Sequence, residues 1–143
     1  MLSLITMMSV TRINPGEAVS IIDDYSFDSI SLLLALYQNK NIIVPITSKI
    51  EAEVNNKIKE SFSTKSILLH ENKIKVNNHE INELHQMITT LQNRNCSGLI
   101  FFSSGSTGNP KAMIHNFDNL VDHYKNKKQR SINMILFLMF DHI

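Results

Sequence analysis

The sequence predicts an α/β fold in which βαβ units surround a mostly parallel sheet. Three observations predict it. An apolar stretch, a helix-period segment and a β-branched run follow one another directly over residues 18–46, a looser version of that order follows, and the apolar run Gly98–Leu99–Ile100–Phe101–Phe102 opens into a loop of glycine and hydroxyl residues.

Each element has its own signal. Ala18 to Ile22 is short and apolar, and the acidic pair Asp23–Asp24 behind it marks a strand and its loop. Phe27, Ile30, Leu34 and Tyr37 recur at spacings of three and four, which is one face of a helix, with Ser26 placed to cap it and Asp28 in the first turn, where the dipole favours an acid. Residues 41–46 are too short and too β-branched for another helix, and their lack of alternation predicts a strand covered on both faces. Ser48 and Glu51 have the spacing of a capping box ahead of Ile50, Val54 and Ile58, an amphipathic helix. Residues 66–69 and 73–76 read as short strands around a polar turn containing Glu71 and Asn72.

Ile81, Leu84, Ile88 and Leu91 mark a further helix, ended by Asn93, Arg94 and Asn95; the run to Phe102 is a buried strand. After the loop, residues 111–115 read as a strand, and Asn116 caps a helix through Phe117, Leu120, Val121 and Tyr124. A final apolar strand is predicted from Ile132 to Phe140. It needs neighbours on both faces, and only Asp141, His142 and Ile143 follow, so the chain is expected to end in the middle of a fold.

Composition narrows the function classes. With 143 residues, 43% of them hydrophobic and 19% charged, the chain reads as one globular unit or a piece of a larger one. A formal charge of +1, from nearly balanced acids and bases, leaves no electrostatic footprint for nucleic acid or an anionic membrane. The one cysteine, Cys96, forms no internal disulfide, and no Cys/His cluster has metal-ligand spacing, so no protein-held metal is expected and the chain reads as cytoplasmic. The first ten residues lack the charge and cleavage site of a secretory signal, and no run reaches the roughly 18 apolar residues of a membrane span.

The loop carries the chemistry. Two of the four glycines fall in Ser103–Ser104–Gly105–Ser106–Thr107–Gly108–Asn109–Pro110–Lys111. Glycine lets backbone amides approach an anion closely, consecutive amides form a nest, hydroxyls donate further hydrogen bonds, and Lys111 adds a positive charge on a flexible stem. A P-loop needs glycine immediately before its lysine, whereas Asn109 and Pro110 separate Gly108 from Lys111 here. Clusters of this composition are usual in surface turns, but the full string resembles the phosphate-binding signature of the AMP-forming adenylating enzymes: acyl-CoA synthetases, aryl-CoA ligases, luciferases and the adenylation domains of peptide synthetases. The leucine-rich helix leading to a strand that ends near Val44–Pro45 resembles the amino-terminal βαβ unit of that family, and Phe140–Asp141–His142–Ile143 resembles the aromatic and histidine segment downstream of its signature.

The resemblance covers essentially the whole chain and implies the amino-terminal part of the adenylate-forming fold, incomplete, with residues 1–143 as the amino-terminal portion of the large AMP-binding domain and the small carboxyl-terminal domain absent. It implies a two-step ligase, in which a carboxylic acid attacks the α-phosphate of ATP and a thiol, of CoA or of a carrier protein's phosphopantetheine, then displaces AMP. Ser103, Ser104, Gly105, Ser106, Thr107, Gly108 and Asn109 would hold the ATP phosphates, Lys111 would be catalytic, Mg²⁺ would bridge the phosphates, and Phe140 and His142 would shape the carboxylate pocket. Ala112 departs from the glycine that many members carry there. The segments that hold adenine, ribose and the family's catalytic lysine match positions beyond Ile143, so the chain alone is expected to be inactive. The alternative is a non-catalytic remnant that binds a phosphate or a partner chain.

Other residues have plainer readings. His70, His79 and His85 are expected at the surface, His115 and His123 to be structural, Cys96 to be a small packing residue, the basic run at residues 125–130 to be the solvated end of a helix, and the seven methionines mostly to fill the core.

Overall fold

A computed structural model of the chain describes residues 12–70, 73–103, 110–125 and 127. The turn expected at Glu71 and Asn72, loop positions 104–109 and the strand expected at 132–140 lie outside these residues. The elements run β1 (Ala18–Ile22), α1 (Phe27–Gln38), β2 (Ile42–Ile46), α2 (Glu51–Glu60), β3 (Lys65–His70), β4 (Lys73–Asn78), α3 (Gln86–Asn93), β5 (Gly98–Ser103), β6 (Lys111–Asn116) and α4 (Phe117–Lys125). They build one six-stranded sheet in the order β4-β3-β1-β2-β5-β6. The four inner strands are parallel, and β4 and β6 close the edges as antiparallel partners of β3 and β5. The expected α/β class, with a mostly parallel sheet, is the observed one. Among the described residues no helix is long and apolar enough to cross a membrane.

Successive strand residues point to opposite faces, and each face has its own core. Val19, Ile21, Ile43, Ile67, Leu99 and Phe101 meet Leu32 and Leu36 of α1, with Phe117 and Leu120 of α4 packed against them. On the other face Ala18, Ile42, Val44, Ile46 and Ile100 meet Val54 and Ile58 of α2 and Ile88 and Leu91 of α3. The second face also buries hydroxyls. Ser61 Oγ donates to the Ile58 carbonyl at 3.1 Å, so it accepts from Ser63 Oγ at 2.8 Å, which in turn accepts from Ser20 Oγ at 2.7 Å. This chain of three bonds lets β1 and the α2–β3 turn bury serines without orphaned donors.

The helix ends show where local rules held and where they gave way. Ser26 caps α1 as expected, its Oγ accepting from Ser29 N at 3.0 Å while Ser29 Oγ accepts from Ser26 N at 2.9 Å. Asn116 caps α4, its Oδ1 accepting from Asn119 N at 3.0 Å. The capping box expected at Ser48 and Glu51 does not form: Ile50 is the cap residue without a side-chain bond, and Ser48 Oγ donates instead to Glu53 Oε2 at 2.6 Å. The helix expected from Ile81 starts only at Gln86, because His85 Nδ1 accepts from Met87 N at 3.2 Å and fixes the start there, so Ile81 and Leu84 precede the helix.

All three of α1, α2 and α3 end in the same way. The second residue past the helix is left-handed, and in each case it is not glycine: Lys40 (φ 61°), Phe62 (φ 54°) and Asn95 (φ 51°). Their amides and those of the following residues return to carbonyls of the last turn, as from Lys40 to Tyr37 O and from Asn41 to Leu36 O. Glycine is spent elsewhere. Gly98 begins β5 where an added Cβ would stand 3.0 Å from both Ile42 Cγ1 and Leu91 Cδ1.

Pro45 has a consequence for the sheet. Ile42 N donates to Glu17 O and Ile46 O accepts from Asp23 N, so alternate β2 residues address β1, and Asn41, Ile43 and Pro45 address β5. Proline offers no N–H there. The β2–β5 ladder holds only Ile42 with Gly98 and Ile43 with Leu99, leaving the carboxyl-terminal parts of these two central strands unpaired with each other.

Candidate phosphate-binding site

The string singled out in the sequence joins β5 to β6. Ser103 closes β5, Lys111 opens β6, and the two are register partners across the antiparallel pair. Ser103 and Pro110 are half-buried and Lys111 is exposed. Among the described residues Lys111 has no carboxylate partner. Ser104, Gly105, Ser106, Thr107, Gly108, Asn109, Phe140 and His142 lie outside the described residues.

The strands fix what surrounds this turn. Because β3, β1, β2 and β5 are parallel, Ser103 lies on the same edge of the sheet as Ile22 and Ile46, the carboxyl edge at which open α/β sheets take their ligands. It borders the stretch where Pro45 ends the β2–β5 ladder. One residue earlier, the Phe102 ring lies 5.5 Å from Lys57 Nζ of α2, a cation–π contact beside the base of the turn.

At the opposite edge is a cluster that the sequence did not announce. Asp118 accepts from Lys40 Nζ at 2.9 Å and from Ser97 N at 3.0 Å. Burial acts to raise its pKa, but the bonds from Lys40, from the Ser97 amide and from the Tyr37 hydroxyl outweigh it and hold the carboxyl below its ordinary value. Desolvation and the same carboxylate push Tyr37 up, and the bond to Asp118 raises Lys40. The left-handed Lys40 thus ties the α1–β2 turn to the start of α4. No spacing signals such a contact, since Lys40 and Asp118 meet only when β2 and β5 are neighbours.

The histidines divide. His85 is exposed, as expected, and caps α3. His79, expected at the surface, is instead half-buried, its Nε2 2.8 Å from the buried Ser66 Oγ, beside an open pocket of 390 Å³ that includes Lys59, Asn78 and Glu80. Burial lowers its pKa from 6.5, so the folded state favours the neutral ring. A depressed histidine contributes stability that is present above pH 6.5 and lost as pH falls through its folded value. The melting temperature of the chain is therefore expected to fall between pH 7.5 and pH 5, and His79→Gln to flatten that slope; an identical slope in the variant would remove His79 as its source. His115 and His123, expected to be structural, are exposed, each beside an aromatic ring, Phe101 and Tyr124. Cys96 is half-buried and packs against the second core. The methionines depart from expectation: Met87 and Met113, the two among the described residues, are 52% and 45% exposed, Met87 in the first turn of α3 and Met113 on the edge strand β6.

A comparison with protein-family models finds no match for the sequence, and a comparison with curated proteins finds none. Solved structures do match. The N-terminal domain of FACL13 from Mycobacterium tuberculosis aligns with a TM-score of 0.54 at 15% identity, over 81% of this chain and 35% of its own. The N-terminal subdomain of NpsA from Klebsiella oxytoca aligns with a TM-score of 0.55 at 20% identity, over 79% of this chain and 32% of its own. The fold is that of the amino-terminal domain of adenylate-forming enzymes. A fatty acyl-adenylate ligase from L. pneumophila, solved in complex with acyl adenylate and pyrophosphate, gives 0.55 at 16% identity, over 82% of this chain and 24% of its own. At these identities the likeness is one of fold, and the chain spans about a third of the length of the first two structures.

Proposed function

We propose that this chain is the phosphate-binding, amino-terminal portion of the large adenylation domain of an ATP-dependent carboxylate-activating ligase. One observation carries the reading: the hydroxyl- and glycine-rich string ending in Lys111 joins β5 to β6 in a sheet shared with adenylate-forming ligases, one of which was solved with acyl adenylate and pyrophosphate. In this reading the carboxylate of a small-molecule acid attacks the α-phosphate of ATP, pyrophosphate leaves, and a thiol of CoA or of a carrier protein takes the acyl group from AMP. Ser103 to Asn109 donate amide and hydroxyl hydrogens to the β- and γ-phosphates, and the Lys111 ammonium offsets the charge that grows on them as the P–O bond breaks. An exposed lysine without a carboxylate partner among the described residues suits that role. Mg²⁺, held through the phosphates, would supply further charge neutralisation. Phe140 and His142 would line the acid's pocket. The cytoplasm, where ATP and thiols are at hand, is the compartment this chemistry fits.

The test has two parts. The chain by itself is expected to bind pyrophosphate and to show no carboxylate-dependent ATP–pyrophosphate exchange. In a polypeptide that also carries the adenine- and ribose-binding segments, Lys111→Ala is expected to lower that exchange by about 10-fold or more, or ~1.4 kcal/mol of transition-state stabilisation. An unchanged rate would remove Lys111 from the mechanism, and exchange by the chain alone, abolished by Lys111→Ala, would overturn the assignment to a portion of the site.

A further inference from the structure

The outward side of α1 is apolar. Phe27, Ile30 and Leu34 are 70%, 44% and 50% exposed, while Ser29, Ser31, Leu32, Ala35 and Leu36 face the sheet. At spacings of three and four, the exposed residues form one stripe, continued only by Gln38. No exposed position of α1 carries a charge. On α2 the exposed positions are Glu51, Ala52, Glu53, Asn55, Lys59 and Glu60, the composition of a helix face built for water. A contiguous apolar stripe on a solvated helix marks a contact surface.

The same face of the sheet holds α4. Its Phe117 ring stands 4.9 Å from that of Tyr37, and its Phe117 and Leu120 pack on the core that α1 covers. The chain therefore continues beyond Lys127 from a helix beside α1. Five residues further on begins the stretch 132–140, in which eight of nine residues are apolar and none is charged. Five extended residues span at most about 17 Å, and a 12-residue helix is about 18 Å long, so the whole of α1 is within reach.

The sheet itself offers this stretch no parallel place. The step from β1 through α1 to β2 fixes the sense of a right-handed crossover on this face. Because β6 runs antiparallel to those strands, a right-handed step from β6 through α4 leads back toward β5, where the position is filled. The outer edge of β6 is reachable for a parallel strand only by a left-handed crossover.

We propose that residues 132–140 of this chain cover the outward face of α1, burying Phe27, Ile30 and Leu34. The inference does not depend on the adenylation chemistry. It is tested in the full chain by cross-linking, with Cys96→Ser removing the native thiol. Leu34→Cys is paired in turn with Met134→Cys, Leu136→Cys and Leu138→Cys, and each variant is treated with a short bis-maleimide; Met87→Cys, 52% exposed on α3 across the sheet, replaces Leu34→Cys as the control for a freely diffusing tail. Docking raises the local concentration of one thiol about the other, so at least one Leu34 pair is expected to cross-link within the monomer roughly 10-fold or more faster than its Met87 counterpart. Equal rates at the two helices overturn the proposal, as does the absence of any monomeric product. Dimeric products alone overturn it in favour of a second copy on the stripe. Ile30→Cys in place of Leu34→Cys repeats every arm, so a single poorly folding variant does not decide the result.

Discussion

Leu36→Ala is expected to lower the unfolding free energy by about 3 kcal/mol, within the 2–5 kcal/mol range of leucine truncations in closed cores. Leu36 is fully buried on the sheet side of α1, in the core that also holds Val19, Ile21 and Ile43. Removing its terminal carbons leaves a void walled by β-branched strand residues, whose restricted side chains do little to close it. Urea denaturation followed by circular dichroism measures the loss, which counts as a stability change if the midpoint moves at constant slope. Ile50→Ala, at a 59% exposed position with no capping bond, is the contrast and is expected within about 0.5 kcal/mol of the parent. A loss under about 1 kcal/mol at Leu36, with about 3 kcal/mol at Ile30, would mean that α1 is turned the other way and would sink both this prediction and the docking proposal.

Asp118→Ala is expected to cost about 2 kcal/mol, chiefly because the Ser97 amide at the entry to β5 loses its acceptor. The ion pair with Lys40 adds little to that figure, since the Lys40 side chain is 36% exposed and water screens it. The effect has a pH signature. With the folded carboxyl held below its ordinary value of 3.8, its stabilisation is present above that pH and is lost as the carboxyl protonates on further acidification. The gap between parent and variant is therefore expected to be flat from pH 7 to about pH 5 and to shrink below pH 4. A gap that stayed constant through pH 3 would show that the carboxylate's charge contributes nothing, and a gap under about 0.5 kcal/mol at pH 7 would show that water replaces it as the acceptor.

Much of the architecture was legible because it depends on short-range rules. Residues 18–46 declare strand, helix and strand through an apolar stretch, a spacing of three and four behind a serine cap, and a β-branched run, and β1 has the predicted bounds. The two short strands that follow, β5, and the helix capped by Asn116 were legible in the same way, each to within a few residues at its ends. Ser103 and Lys111 fall at the two ends of the turn that the string predicts, since a polar glycine-rich stretch between two apolar runs has few other places to go.

What spacing did not disclose has a common cause. In α1, Phe27, Ile30, Leu34 and Tyr37 share one face, but Leu32, Ala35 and Leu36 share another, so the period established a helix without choosing its inner side. The small side chains of Ser29, Ser31 and Ala35 let α1 sit close to β1 and β2, and that choice was made by the sheet. Ser48 met a carboxylate five residues away before the one three residues away, and His85 capped α3 ahead of the apolar spacing that reached back to Ile81.

The sequence by itself determined the order of strands and helices, the serine and asparagine caps of α1 and α4, and the place of the glycine- and hydroxyl-rich string between β5 and β6, because each depends on residues within a few positions of one another. Only the tertiary structure decided that β2 lies between β1 and β5, that Pro45 ends their ladder beside Ser103, that Lys40 meets Asp118 and that α1 turns Phe27, Ile30 and Leu34 outward. The strand neighbours and the Lys40–Asp118 pair join residues far apart in the chain, up to 78 positions for the latter, and nothing local distinguishes the partner that packs from the many that do not.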